Sequence, residues 1–419
     1  MTPSLGVPQS TSDSSSVVIT GLGVVSPLGA SAETLARRVC AGHSAVGALA
    51  DMGVEGVCGA QVADIPLDAV PAEARRRVGR LDRLCRLFLS ATSLAVESAG
   101  LKISAAEADR YGLSFGTGFG CLLSDAEYNQ KVTEHGPAAA SPQLFAYTVS
   151  SAAAGEVSIA FGIKGPNLTV HMGFAAGLGA IGYGFDLIRM GKADAVLAGG
   201  ADALGPALVR GLADMGLLKP LAVGGLHPVP FRDVVPGVYP SEGAVVVVLE
   251  RRDHARRRGA RCWARLEGYA AGFEPSLTRR SRRSAGIGTT FRRALAASGH
   301  DPAAIDLVLA SAHATALDTA ERDALAGVFD GAASPLLFAG KAAWGECFGA
   351  DGVLSLALAT ALLQPPPPSL ADHVALELHG ATVRSAENAR PRLHAARLAM
   401  VHSLCYSGPT VALVLAREG

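Results

Sequence analysis

The chain has 419 residues in which 37 lysines and arginines balance 37 aspartates and glutamates, so its formal net charge is zero and the basic footprint of a nucleic-acid binder is excluded. Hydrophobic residues make up 49% and aromatics only 5%, with 49 glycines, a composition suited to helices and strands packed closely in layers. The seven cysteines, Cys40, Cys58, Cys85, Cys121, Cys262, Cys347 and Cys405, show neither C-x-x-C nor zinc spacing; this fits a reducing cytoplasm and gives no reason to expect a metal or other cofactor.

Residues 1–16 lack the basic start and apolar core of a signal peptide and read as a disordered tail. Strands are predicted at Val17–Val25, Tyr111–Gly116, Asn167–Val170, Ala195–Gly199 and Ala244–Leu249, with helices between them. The V-V-V-V run of the last is of the kind buried between two layers. Met172–Phe185 is the longest uncharged apolar run, but it falls short of the ~18 residues a membrane span needs and is predicted to be a buried central helix. After Arg251–Gly259 a second set of strands follows, at Trp263–Tyr269, Leu307–Ala310, Leu336–Phe338, Leu398–Val401 and Val411–Leu415. A helix at Val353–Leu363 takes the place in this half that the helix after Phe174 takes in the first, and Q-P-P-P-P-S, Gln364 to Ser369, is a stiff surface connection.

Five blocks stand out, the first informative about fold and the other four about chemistry. They are V-V-I-T-G-L-G-V-V-S-P-L-G (Val17 to Gly29), M-G-F-A-A-G running into G-L-G-A-I and on to A-G-G-A-D-A (Met172 to Ala203), S-A-H-A-T-A-L-D-T-A-E (Ser311 to Glu321), G-K-A-A-W-G-E-C-F-G-A-D-G (Gly340 to Gly352) and H-S-L-C-Y-S-G-P-T (His402 to Thr410). Together they resemble the β-ketoacyl synthase family of the thiolase superfamily, from about Val17 to about Glu418. The resemblance implies an α/β, thiolase-like fold with two pseudo-repeated halves, 17–255 and 256–419, in an α-β-α-β-α arrangement.

In that family a turn of the type T-A-C-S-S-G sets a nucleophilic cysteine at a helix N-terminus, which lowers the thiol pKa. Here Phe174 stands at that position. His313 occupies one catalytic histidine position, Lys341 the family lysine, and Glu346 replaces the second histidine, where a carboxylate repels a developing enolate. Cys405 and Ser407, around Tyr406, replace glycines of the family's mobile gate and stiffen it. With no thiolate to accept an acyl group, and with each lost enolate donor costing on the order of 100-fold in rate, condensation by this chain alone is not expected.

This pattern is similar to the chain-length factors of bacterial type II polyketide synthases, which lack the cysteine, pair with a cysteine-bearing ketosynthase and shape the pocket in which the chain grows. Val235 and Pro236, and the D-T-A-E after His313, resemble the subgroup; Phe174 departs from its usual glutamine. The expectation is a non-catalytic cytoplasmic subunit in a heterodimer with a ketosynthase and served by an acyl carrier protein, with neither nucleic acid nor membrane as partner. A polyene or other reduced product stands beside an aromatic one.

Leu122, Asp125 and Asn129, at i, i+3 and i+7, fall on one helical face in a segment that resembles the tunnel-lining helix of the subgroup. Arg75, Arg76 and Arg77, with Arg80 and Arg83, form a cluster for carrier-protein docking, part of it structural; Arg279, Arg280, Arg282 and Arg283 read as solvated surface. Phe174 is either a plug or a filler in a decayed duplicate, and His313 is read as a retained structural histidine. Lys341 and Glu346 are read as a buried ion pair or as making backbone contacts, and Cys347 and Cys405 as apolar fillers away from helix N-termini. Two alternatives stand against the subunit reading: an acyltransferase or thioester hydrolase using His313 as general base, and a homodimeric ligand-binding remnant.

Overall fold

The computed structural model describes residues 16–219, 230–231, 237–275, 282–331, 334–371, 374–379 and 382–418. Residues 1–15 of the predicted tail, Val235, Pro236, Arg279 and Arg280 lie outside these residues. Twelve strands form the main sheet: β1 Val17–Val25, β2 Tyr111–Gly116, β3 Asn167–Val170, β4 Ala195–Asp202, β5 Gly243–Arg251, β6 Ala264–Phe273, β7 Leu307–Leu309, β8 Leu336–Phe338, β9 Leu376–His379, β10 Thr382–Ser385, β11 Leu398–Leu404 and β12 Pro409–Arg417. The main helices are α1 Arg83–Ala99, α2 Leu122–His135, α3 Ala152–Phe161, α4 Ala176–Arg189, α5 Ser284–Ser298, α6 Leu317–Val328 and α7 Asp351–Leu362.

The spatial order β10-β9-β8-β7-β11-β12-β6-β1-β5-β4-β2-β3 is a repeat read outward from the middle. The series β1-β5-β4-β2-β3 and β6-β12-β11-β7-β8 share the same senses, two antiparallel pairs followed by two parallel ones. The halves join where β1 meets β6, Val17 opposite Leu266. The hairpin β9–β10 extends one edge of the sheet and was not predicted, whereas β3 has no strand beyond it among the described residues.

Alternation along the strands divides the interior into three cores. Val245, Val247 and Leu249 of β5, with Val411, Leu413 and Leu415 of β12, face a central core that holds α4 and α7. Val246 and Val248 face outward to α1 and α3, and Ala412 and Val414 to α5 and α6. The result is five layers, and it explains why β5 is apolar on both faces. Every residue of α7 is buried, which accounts for its lack of a polar face. At the start of α4, a Cβ on Gly177 would lie 2.2 Å from the Gly349 carbonyl, so only glycine lets the starts of α4 and α7 meet. No helix among the described residues is long and apolar enough to cross a membrane.

Candidate functional site

The turn after β3 and the segment preceding α7 bring the motif residues together. Gly173 sits at φ +55°, which turns the chain into α4 and carries Phe174 to the helix start. The Phe174 side chain is 7% exposed, and its ring lies 5.3 Å from Phe348, 5.6 Å from Tyr406, 5.8 Å from His313 and 6.4 Å from Phe119, centroid to centroid. Ser403 Oγ donates to the Phe174 carbonyl at 3.0 Å. The helix start that favours a thiolate is thus occupied by an aromatic cluster.

Behind this cluster lies a buried polar network. His313, 2% exposed, contacts Glu346 Oε2 at 2.7 Å and Lys341 Nζ at 2.9 Å through Nδ1. Its Nε2 lies 3.1 Å from the Leu404 carbonyl and 2.9 Å from Ser311 Oγ. A carbonyl can only accept, so Nε2 carries a proton, and with Nδ1 taken up by Glu346 and Lys341 neither ring nitrogen is left for a substrate. Lys341 donates to Glu346 at 2.8 Å and pairs with Asp351 at 3.0 Å, and Trp344 Nε1 donates to Asp351 at 2.8 Å. Burial works against the charge on Glu346, but Lys341 and His313 hold its carboxyl down to about 2. Burial pushes Asp351 up to about 6 against the pull of Lys341, with Glu346 adding to the rise. Lys341 is raised because Asp351 and Glu346 outweigh its burial. The carboxylate at the second histidine position is therefore neutralised by the lysine rather than turned toward a substrate.

The loop carrying His313 is strained and tied down. Ala312 and Ala314 on either side adopt φ +40° and +57°, the left-handed region that favours glycine. Asp318 accepts from Ala314 N at 3.1 Å and from Phe231 N at 2.7 Å, while Glu321 accepts from Ser311 N at 2.7 Å and Ala312 N at 2.9 Å. Burial, with Glu321 close by, pushes Asp318 up to about 6.

Two expectations about these surroundings need correcting. Cys347 is not remote from a helix start: it directly precedes the one-turn helix Phe348–Ala350 that runs into α7. Burial nevertheless pushes its thiol well above the ordinary range, so it offers no nucleophile. Arg282 is not a solvated surface cation: its side chain is 1% exposed and faces Glu274. Arg283, beside it, is exposed and also pairs with Glu274.

Cys405 lies against the turn, with its Sγ 2.3 Å from where a Cβ on Gly173 would stand and 3.2 Å from Ser407 Oγ. Cys405, Tyr406 and Ser407 wall one side of a cavity of about 530 Å³ whose floor is Phe174 and whose other walls include Phe119, Leu212 and Leu217. Leu122 packs against the Phe174 cluster, Asp125 accepts from Cys121 Sγ at 3.1 Å, and Asn129 is exposed and donates to the Asp125 carbonyl at 2.8 Å. Arg75 and Arg76 are exposed, Arg75 donating to the Val70 carbonyl at 3.0 Å, and Arg77 pairs with Glu156 at 3.3 Å. Arg83 is structural, reaching Glu242 and donating to the Val62 carbonyl at 2.8 Å.

Asp202, at the end of β4, was missed as a site residue. It accepts from Thr117 Oγ1, from the amides of Gly118 and Phe119, and from Gly349 N, tying the Phe119 loop to the start of α7. Its place at the end of the A-G-G-A-D strand motif was the available signal.

The family model described as beta-ketoacyl synthase, N-terminal domain, matches residues 14–255, and that for the C-terminal domain matches residues 263–366. The chain is 29% identical to a 3-oxoacyl-[acyl-carrier-protein] synthase 2 of Rhizobium meliloti over 96% of its own length and 98% of the relative. It is 31% identical to the Synechocystis enzyme of that description and 33% identical to the tetracenomycin polyketide synthase ketoacyl synthase alpha subunit of Streptomyces glaucescens. Each of these alignments covers 61% of this chain but only 62% of the relative. The ishigamide ketosynthase/chain length factor superposes with a TM-score of 0.81 at 24% identity over 96% of this chain and 99% of that one. A type II polyketide synthase ketosynthase, solved with its acyl-carrier protein and bound to the hexaketide, superposes with a TM-score of 0.80 at 22% identity over the same shares. The chain belongs to the β-ketoacyl synthase family, with the thiolase-like fold of two repeated halves.

Proposed function

We propose that this chain is a chain-length-factor subunit: it pairs with a cysteine-bearing ketosynthase and shapes the tunnel in which a polyketide grows, without condensing anything itself. The observation that carries the reading is Phe174, sealed by His313, Phe348 and Tyr406 at the helix start where family members hold their nucleophile. Of the two thiols near the site, Cys347 is buried with its proton held, and Cys405 Sγ meets the Ser407 hydroxyl and no base among the described residues. The alternative of His313 as general base is weakened by the contacts of both its nitrogens with protein atoms.

An edge suited to a partner supports the reading. The sheet ends at β3, and the helices on its two faces expose Ile159 of α3 and Tyr183 of α4, with Phe145 and Val149 nearby in sequence. These are large apolar side chains at 66%, 49%, 59% and 51% exposure, the composition that a permanent interface covers. The solved relatives described as a ketosynthase/chain length factor and as a ketosynthase with its acyl-carrier protein are consistent with such pairing and with carrier docking. Arg75 and Arg76 remain the docking candidates. Co-expression with a cysteine-bearing ketosynthase, tagging this chain alone, tests the proposal: a one-to-one complex supports it, and a homodimer that ignores the ketosynthase refutes it.

A further inference from the structure

We infer that Arg282 is a latch that fixes the Cys405–Pro409 turn as an immobile wall of the cavity in front of Phe174. The guanidinium is buried against the turn, and Nη1 donates to the Cys405 carbonyl at 2.8 Å and to the Pro409 carbonyl at 3.2 Å. Nη2 donates to Thr410 Oγ1 at 2.9 Å, so both ends of the turn hang on one side chain. Glu274 lies 3.5 Å from Nε and supplies the countercharge that makes the burial tolerable. The turn also closes on itself, since Cys405 N donates to the Pro409 carbonyl at 3.0 Å and Gly408 N to the Cys405 carbonyl at 3.1 Å.

The inner side of the turn is packed as firmly. Cys405 Sγ presses on the backbone of Gly173, and on the outer side a Cβ at Gly408 would lie 2.4 Å from the Glu274 carbonyl. A turn held outside by a buried cation and inside by a thiol seated on Gly173 cannot swing without breaking the Arg282 bonds together. The cavity then accepts only what fits its fixed shape, and Cys405, 5% exposed, stays shielded although it lines that cavity. This inference does not depend on the proposed partner.

Cys405 is the reporter for the test. Purified full-length protein is pulsed with N-ethylmaleimide, and each cysteine is followed by peptide mass spectrometry. Arg282→Gln is expected to speed labelling of Cys405 by about tenfold or more, the factor that losing one charge-assisted hydrogen bond gives to an opening equilibrium. Arg282→Lys, which keeps the charge but not the fork, has a smaller effect. Half-buried Cys121 and Cys262 keep their rates, and buried Cys40 and Cys347 stay unlabelled. An unchanged Cys405 rate in Arg282→Gln, with Cys347 still protected, overturns the latch. Should Arg282→Gln expose Cys347 by unfolding, Thr410→Val decides, because it removes only the Nη2 bond. A severalfold faster Cys405 there supports the latch, and an unchanged rate overturns it.

Discussion

Phe174→Cys restores the family nucleophile in one step, and the structure predicts that the restored thiol will not condense. The new Sγ would lie at the start of α4 beside His313, but Nε2 of that imidazole is held by the Leu404 carbonyl at 3.1 Å and Nδ1 by Glu346 at 2.7 Å. The second imidazole is absent, and Glu346 in its place is an anion held by Lys341. Each missing donor to a developing oxyanion costs on the order of 100- to 1,000-fold, so two compromised positions put condensation roughly four to six orders of magnitude below a complete site. The substitution also removes a ring packed against three aromatic rings and His313, at a cost of about 2–4 kcal/mol by comparison with other large-to-small core changes. That is a sizeable part of a typical 5–15 kcal/mol total. The assay is intact-mass detection of acyl transfer to the variant, followed by product formation with a malonyl-loaded carrier protein, after denaturation has shown the variant folded. Slow self-acylation without condensation is expected. Condensation within about tenfold of an authentic ketosynthase would refute the reasoning about His313 and Glu346.

Other outcomes follow from the same geometry. Leu122→Trp, at the start of α2 against the Phe174 cluster, should shorten the products of the reconstituted complex without abolishing them, and unchanged product length in a chromatographic profile would remove this helix from the tunnel. Lys341→Met leaves Glu346 and Asp351 buried without their cation and should destabilise the fold by about 3–5 kcal/mol in urea titration; a loss below about 1 kcal/mol would mean the network is not held by charge. Asp318 and Asp351, each raised to about 6, keep protons in the folded chain that the unfolded chain releases near its ordinary carboxylate pKa. The sign is that of a raised pKa, so stability falls as pH rises from about 4 through 6, by roughly 3 kcal/mol for each group. Glu346, held down to about 2, acts oppositely and only below about 4.5. Urea midpoints at pH 5 and pH 7 check this, and a higher midpoint at pH 7 would contradict it.

Much of the fold was legible because its strands advertise themselves. β1, β2, β3 and β8 occupy the predicted residues, and the V-V-V-V run of β5 has the buried position that its unbroken apolarity demands. The strands that outran their predicted ends did so where pairing continues past the apolar stretch, as Ser403 and Leu404 pair with Val411 and Thr410. The hairpin β9–β10 was invisible because L-E-L-H and T-V-R-S carry little apolar signal and gain their order from the edge of β8. In the site, the resemblance of their blocks to those of the family placed Phe174, His313, Lys341 and Glu346 in one neighbourhood. Arg282 was misread because a run of arginines looks solvated, and only the distant β11–β12 turn reveals what this one binds. Asp351 escaped notice because its role depends on pairing with Lys341, ten positions earlier in sequence.

The most direct measurement is the subunit composition of the complex that this chain forms when co-expressed with a cysteine-bearing ketosynthase, read by native mass spectrometry with and without Ile159→Asp at the exposed edge beside β3. A one-to-one heterodimer that forms with the wild-type chain and is lost with Ile159→Asp is the predicted result. A stable homodimer that never incorporates the ketosynthase would contradict the account and return attention to thioester chemistry at His313.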